Sequence, residues 1–187
     1  MTPDERIALA SIWIAWFLLW CVWAVRTKKV ARGESVWSEA AHQLPLAAAL
    51  FLLWPWHLPY GFLSAQVLPS LGWTGAILTL AGMAFMIWAR ASIGANWSGR
   101  VTIKRDHALI DRGPYAIVRH PIYTGLLAAY LFTGLSWGDW RGLLAPLIAA
   151  VALWRKLRLE ERFLCEQFGA DYERYRGRTR ALIPFVL

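Results

Sequence analysis

The chain has 187 residues, of which 58% are hydrophobic and 17% charged, with 13 tryptophans and a formal net charge of +8. This composition is unusual for a soluble domain, and the apolar residues fall in runs of the length that a bilayer core requires. Of the 20 Lys and Arg residues, 18 lie in residues 26–43, 90–119 and 155–180, a positive-inside pattern that excludes a continuous nucleic-acid-binding stripe.

The apolar runs predict an all-α integral membrane protein with about five transmembrane helices in one domain, residues 1–187. Three helices are predicted in residues 1–89, at 7–25, 44–56 and 71–89, and the second could begin as early as Ala40. The first is predicted to be a retained helix, because Asp4, Glu5 and Arg6 do not give the net positive start of a signal peptide. Small residues on the third helix predict a closely packed neighbour; they are Gly75, Thr79 and Gly82.

Residues 90–187 are predicted to form a second half of this domain, with a C-terminal helical hairpin. The fourth helix should begin at Pro121, whose missing N–H costs nothing in a first turn, and end near Trp137. A Gly138-Asp139 turn should lead into a fifth helix that continues past Trp154 into the charged stretch RKLRLEERFLCEQF. Residues 121–154 are short for two crossings, so the hairpin either uses that extension or is partly re-entrant.

The alternation of basic loops predicts an outside N-terminus and a cytoplasmic C-terminus. Polar residues concentrate in 96–123 and 154–180, which the hairpin would bring together on the cytoplasmic side. From the pattern alone, His120 is either the polar start of a helix or a site residue. Likewise, Lys156, Glu160 and Glu161 form either a solvated helix with ion pairs or part of a pocket.

Several common sites are excluded by spacing. Cys21 and Cys165 fit neither a metal site nor a disulfide framework and are predicted to be free thiols. His107 and His120 are too far apart in a loop to suggest a metal site, and none is predicted. The chain contains no nucleophile elbow, no Walker loop and no dinucleotide fingerprint.

Three stretches carry a resemblance to a known family: HALIDRGPYAIVRHPIYTG (107–125), EERFL (160–164) and DYERYRGRTRALIPF (171–185). Together they resemble the isoprenylcysteine carboxyl methyltransferase family, which belongs to a wider group of integral-membrane methyltransferases that includes phospholipid N-methyltransferases. The resemblance is close over residues 90–185 and extends to the first two helices only in general hydropathy.

The resemblance implies S-adenosylmethionine as methyl donor and S-adenosylhomocysteine as product. It implies that residues 90–187 are the cofactor-binding half, with a cytoplasmic cofactor pocket. It also implies a lipid or prenylated acceptor that enters from the bilayer. It implies catalytic roles for His120, Glu160 and Glu161. It implies acceptor contacts for Arg155 and Lys156, where Lys156 replaces an arginine of the eukaryotic members and leaves the acceptor open. The residues implied to bind the donor are Arg100, His107, Ala108, Leu109, Ile110, Tyr115, His120, Pro121, Ile122, Tyr123 and Glu160.

The sequence leaves alternatives open for both the chemical group that accepts the methyl and the class of reaction. The carboxylate of a prenyl-cysteine-like acceptor is already ionised, whereas a phospholipid amine would first lose a proton to His120, Glu160 or Glu161. An NADPH-dependent membrane reductase of related architecture is a further alternative, although such proteins have more helices. A transporter or scaffold is disfavoured because the first four predicted spans contain no Asp, Glu, Lys or Arg.

Overall fold

The computed structural model describes residues 1–25, 27–54, 61–105 and 108–184. Short 3₁₀ turns lie at Gly61–Ser64, Gly94–Asn96 and Gly113–Ala116. The α-helices are α1 (Pro3–Ala24), α2 (Val36–Leu53), α3 (Gly72–Ile93), α4 (Pro121–Trp137), α5 (Trp140–Phe168) and α6 (Ala170–Arg178), and the strands are β1 (Val30–Gly33) and β2 (Thr102–Lys104).

Within the described ranges, two helical segments are long and apolar enough to cross a bilayer, Pro3–Ala24 and Gly72–Asn96. On α1, the large apolar side chains of Ile7, Phe17 and Leu18 are about 60% exposed or more, as expected for a surface that contacts lipid. The mostly helical fold is thereby confirmed, and these segments indicate a membrane protein. Five crossings, their orientation and the single membrane domain remain predictions, since α4 has 17 residues and α5 carries charges near both ends of its apolar part.

Two helices begin earlier than predicted because polar side chains cap them. Thr2 and Glu5 form a capping box around the first turn of α1, which therefore starts at Pro3. Ser35 caps α2 by accepting from Ser38 N, so α2 starts at Val36 and takes in residues that were predicted to be loop. α2 ends at Leu53 and α3 extends to Ile93, whereas α4 and the start of α5 agree with the prediction.

The helices α3, α4 and α5 pack through small residues. A Cβ atom on Gly82 would lie 3.0 Å from Gly125 O, and one on Gly134 would lie 2.3 Å from Gly142 O. Such distances leave no room for a side chain, so the backbones approach directly. The stripe predicted on α3 lies against α4, and its Thr79 Oγ1 is 3.2 Å from Thr133 Oγ1. This seam, defined as the glycine and threonine contacts of α3, α4 and α5, fixes the position of α4.

A small antiparallel sheet, which was not predicted, accompanies the mostly helical fold. β1 pairs with β2, with Val30 opposite Lys104 and Gly33 opposite Thr102. Strands of four and three residues are too short to show an alternating pattern, and their partners lie far apart in the chain. The sheet ties the segment before α2 to the loop after α3. That loop forms one wall of the site described below.

Candidate active site

A cavity with about 760 Å³ of empty space, partly open to solvent, lies at the polar end of the helices. The wall is built by the segment after α3, the loop before α4, the start of α4, the second half of α5, and α6. Its residues are Ile93, Asn96, Trp97, Ser98, Arg100, Thr102, Ala108, Leu109, Ile110, Tyr115, Arg119, His120, Ile122, Tyr123, Glu160, Leu164, Tyr172 and Tyr175.

Most of the residues predicted to bind a donor lie in this wall, although they come from distant parts of the chain. Pro121 is the exception, because it is fully buried in the first turn of α4. His107 lies outside the residues that the structure describes. The predicted donor residues in the wall are Arg100, Ala108, Leu109, Ile110, Tyr115, His120, Ile122, Tyr123 and Glu160.

Glu160, Tyr123 and His120 form the centre of the polar wall. The Tyr123 hydroxyl donates to Glu160 Oε2 at 2.5 Å, and its ring lies parallel to the His120 ring with centroids 5.3 Å apart. His120 Nδ1 lies 3.8 Å from the same Glu160 oxygen. The other oxygen, Glu160 Oε1, has no partner in the described part of the chain, and the Glu160 side chain is 32% exposed. A ligand in the cavity can therefore reach this carboxylate.

Glu161 lies in a different environment from the neighbouring Glu160. Adjacent helical residues are rotated by about 100°, and Glu161 is turned out of the cavity wall. Arg119 Nε and Nη2 each lie 2.8 Å from Glu161 Oε1, and His120 Nε2 lies 3.4 Å from it. Burial raises the pKa of Glu161, but the hydrogen bonds and charges of His120 and Arg119 outweigh burial and lower the pKa to about 2. Glu161 is thus an ionised carboxylate that lies behind His120 and outside the cavity wall, and its catalytic role stays a prediction.

Backbone hydrogen bonds join the C-terminal tail to the start of α4. Arg119 N donates to Arg180 O at 2.8 Å, and His120 N donates to Ala181 O at 3.0 Å. Arg119 Nη1 also donates to the Thr179 carbonyl. These bonds satisfy N–H groups that a helix start leaves free and hold His120 against the cavity.

Two tyrosines of α6 complete the wall and were not predicted. The Tyr175 hydroxyl donates to Tyr115 O at 2.6 Å, and Tyr172 also lines the cavity. Burial raises the pKa of Tyr115 and Tyr175, so both phenols stay protonated at neutral pH. The available signal was the pair of tyrosines three residues apart in DYERYRG. The other wall residues missing from the predicted set are Ile93, Asn96, Trp97, Ser98, Thr102, Arg119 and Leu164.

Three buried polar atoms of the wall have no hydrogen-bond partner among the described residues: Asn96 Oδ1, Thr102 Oγ1 and the Tyr172 hydroxyl. An unpaired buried polar atom costs about 1–3 kcal/mol, so these atoms favour a polar ligand or ordered water. Asn96 offers an acceptor, and the two hydroxyls can donate or accept. With Glu160 Oε1, the wall suits a ligand that carries amino and hydroxyl groups.

The two residues predicted to contact an acceptor point in different directions from α5. Lys156 is buried, and its Nζ donates to Gly99 O at 2.6 Å and lies 5.5 Å from the Tyr123 ring centroid. Arg155 instead donates to Ser38 O at 3.0 Å, at the start of α2. Only Lys156 contacts a residue of the cavity wall, because consecutive residues of a helix cannot share one face.

Residues 71–171, more than half of the chain, match the sequence model of the phospholipid methyltransferase family. Similar proteins include the protein-S-isoprenylcysteine O-methyltransferase of Schizosaccharomyces pombe, 34% identical over 104 residues that cover 52% of this chain and 43% of that protein. The corresponding protein of Saccharomyces cerevisiae is 31% identical over 121 residues, which cover 60% and 48%. Protein-S-isoprenylcysteine O-methyltransferase B of Arabidopsis thaliana is 30% identical over 121 residues, which cover 60% and 58%.

The matched segments span about half the length of these relatives. The family match includes α3, α4, all of α5 and the first two of the three stretches that carry the resemblance, at 107–125 and 160–164. These findings confirm the resemblance drawn from the motifs. The chain belongs to the phospholipid methyltransferase family, and its matched relatives include the isoprenylcysteine O-methyltransferases.

Proposed function

We propose that the protein transfers a methyl group from S-adenosylmethionine to the carboxylate of a lipidic, prenyl-cysteine-like acceptor. The observation that carries this proposal is the cavity in which Glu160, Tyr123 and His120 meet, within the segment matched to the family. The names of the relatives support O-methylation. The apolar helices support a membrane setting, and the basic segments 90–119 and 155–180 favour a cytoplasmic cavity.

The chemistry of the cavity residues fits S-adenosylmethionine. Glu160 Oε1 suits the amino group or a ribose hydroxyl, and the unpaired atoms of Asn96, Thr102 and Tyr172 suit the remaining polar groups. S-adenosylmethionine supplies a sulfonium-bound methyl group, which the acceptor takes by in-line displacement with release of S-adenosylhomocysteine.

A carboxylate acceptor is already ionised, so this chain has to orient it and exclude water rather than remove a proton. Tyr123 holds Glu160 through its hydroxyl, and Glu161 holds His120 in the stack with Tyr123. Lys156 is the proposed cation for the acceptor carboxylate. Its Nζ has one hydrogen bond in the described structure, to Gly99 O, and two further donors.

The test is incubation of the protein in lipid nanodiscs with methyl-labelled S-adenosylmethionine and a farnesylated cysteine. We expect a base-labile methyl ester. Glu160→Gln should weaken S-adenosylhomocysteine binding about tenfold or more, because it removes a charge-assisted hydrogen bond worth about 1.5–3 kcal/mol. The matched control is Glu166→Gln, an exposed carboxylate on the same helix, which should bind normally. Failure to label any acceptor would contradict the activity, and full affinity in Glu160→Gln would contradict the site.

N-methylation of a phospholipid amine is the second candidate, and the description of the matched family favours it. An amine must lose a proton, and the His120 ring, held between Glu160 and Glu161, is the proposed base. The same incubation with phosphatidylethanolamine separates the two candidates. Base-stable methylamines in place of methyl esters would assign the activity to the amine.

A further inference from the structure

A second cleft lies beside the charged extension of α5 and has about 620 Å³ of empty space, which includes space open to solvent. Its cations are Arg158 and Arg162 of α5 and Arg176 of α6, and all three are exposed. Arg158 and Arg162 are four residues apart and therefore lie on one face of the helix. The remaining lining residues are Glu161, Cys165 and Glu166.

Both carboxylates of this cleft are paired with arginines that lie outside its lining. Glu161 accepts from Arg119 at 2.8 Å, and Glu166 accepts from Arg32 at 2.5 Å. Neither carboxylate is therefore left to neutralise the three arginines of the cleft.

The arginines of the cleft are largely uncompensated. Across the described ranges, Arg158 and Arg162 have no ion-pair or hydrogen-bond partner. Arg176 has one solvent-exposed contact, with Glu173 at 3.3 Å, and exposed pairs of this kind contribute little. The backbone at Arg176 is nevertheless fixed, because its carbonyl accepts from Arg119 Nη1 at 3.3 Å. The cleft thus presents a surplus of positive charge from two packed helices.

The cleft also lies at the depth of lipid phosphates if α5 crosses the bilayer. α5 is continuous over 29 residues, and at about 1.5 Å per residue it is roughly 43 Å long, the thickness of a bilayer with its headgroups. With Trp140 at one interface, Arg158 and Arg162 lie about 27 and 33 Å along the axis. These depths bracket the far boundary of a hydrocarbon core about 30 Å thick.

We propose that Arg158, Arg162 and Arg176 bind a phosphate group, and that its source is the headgroup of an anionic phospholipid. The planar guanidinium fork matches phosphate oxygens, which a lysine would meet only as a point charge. This site is distinct from the proposed methyl-transfer cavity and requires no methyl transfer. Its test therefore measures lipid binding alone, so that its failure and the failure of the proposed function are distinguishable.

The experiment is native mass spectrometry of the purified protein titrated with phosphatidylglycerol or phosphatidylcholine. We expect wild type to retain one phosphatidylglycerol in preference to phosphatidylcholine. Arg158→Gln/Arg162→Gln should weaken that binding by about tenfold to thirtyfold, since each arginine near an anionic lipid contributes about 1 kcal/mol. The matched control, Arg112→Gln/Arg174→Gln, removes the same charge from exposed arginines outside the cleft and should bind like wild type.

A second arm titrates inorganic phosphate and follows its ³¹P line width in a neutral detergent. Displacement of phosphatidylglycerol by millimolar phosphate, lost in the cleft variant, supports the shared phosphate chemistry. Binding of phosphate without any preference for phosphatidylglycerol overturns the lipid assignment. Equal loss of lipid in the cleft and control variants would show a diffuse charge effect and overturn the cleft itself. Both variants change exposed residues, and their melting temperatures check that they fold.

Discussion

The seam of α3, α4 and α5 and the polar end around Glu161 are held together by opposite means. In the seam, backbones touch through glycine, and a Cβ on Gly142 would lie 2.0 Å from Gly134 O. At the polar end, Arg119 joins α5 to the C-terminal tail through its guanidinium group and backbone. The seam is therefore sensitive to volume and the polar end to charge and hydrogen-bond direction.

This difference bears on function because α4 and α5 belong to both regions. The seam fixes the two helices relative to each other, and the polar end uses that alignment to bring Tyr123 of α4 to Glu160 of α5. A volume change in the seam should remove the folded protein, whereas a charge change at the polar end should separate stability from ligand binding. Each variant below tests one side of this comparison.

The largest effect should come from Gly134→Val. A Cβ at this position would lie 2.3 Å from the backbone oxygen of Gly142, so α4 and α5 would have to separate. The cost should therefore exceed the roughly 1–3 kcal/mol that is typical of overpacked cores. We expect little folded protein by size-exclusion chromatography in detergent. The control is Gly177→Ala, because nothing lies within 4 Å of a Cβ at that α6 position, and alanine favours a helix by about 1 kcal/mol. A normal melting temperature for Gly134→Val would show that the seam is not closely packed.

Glu161→Gln should have the next largest effect and should act mainly on stability. Removing one member of a buried ion pair costs about 3–5 kcal/mol, and Arg119 would lose its carboxylate partner. Thermal unfolding followed by tryptophan fluorescence measures the loss. Glu160→Gln is the comparison, since this partly exposed carboxylate should change ligand affinity far more than melting temperature. The reverse pattern would exchange the roles assigned to the two glutamates.

Acid should weaken the contacts of Glu161 with Arg119 and His120 in a defined pH range. The folded-state pKa of Glu161 is about 2, below its ordinary value of 4.5, so its contribution to stability is complete above about pH 4.5. That contribution is lost as the pH falls from 4.5 towards 2. Melting temperatures measured between pH 6 and pH 3 should fall more steeply for wild type than for Glu161→Gln. Parallel curves would show that Glu161 does not carry the acid sensitivity.

The sequence predicts the parts of this fold that are set by residues at the same position in the chain, such as the starts and ends of helices. Pro121 starts α4, Gly138 ends it with a positive φ, and Asp139 caps α5. Thr2 and Ser35 are caps of the same kind, and the predicted helices began too late because the apolar runs outweighed these polar caps. A hydropathy pattern locates the apolar middle of a helix better than its ends.

The candidate site also has residues that the sequence predicts and contacts that it does not. The resemblance identified Tyr115, His120, Tyr123 and Glu160, which line one cavity. The separation of Glu160 from Glu161 follows from their rotation about α5, but the assignment of Arg119 to Glu161 depends on the path of the tail. Contacts between residues that lie far apart in the sequence leave no local signal. Only the assembled structure therefore reveals the strand pair, the tail contacts and the α6 wall.

The smallest effect should come from deleting one hydroxyl in α4, either near its start or in its middle. Tyr123→Phe keeps the ring that lies parallel to His120 but removes the bond to Glu160, so S-adenosylhomocysteine affinity should fall about threefold to tenfold. Tyr130→Phe removes a buried bond to Leu46 O and should lower the melting temperature by a few degrees without changing affinity. Calorimetric titration measures the affinity of both variants for S-adenosylhomocysteine, and thermal unfolding measures their melting temperatures. Since the two substitutions are chemically identical and lie on one helix, an affinity change in both would mean that the bundle and the cavity are one cooperative unit.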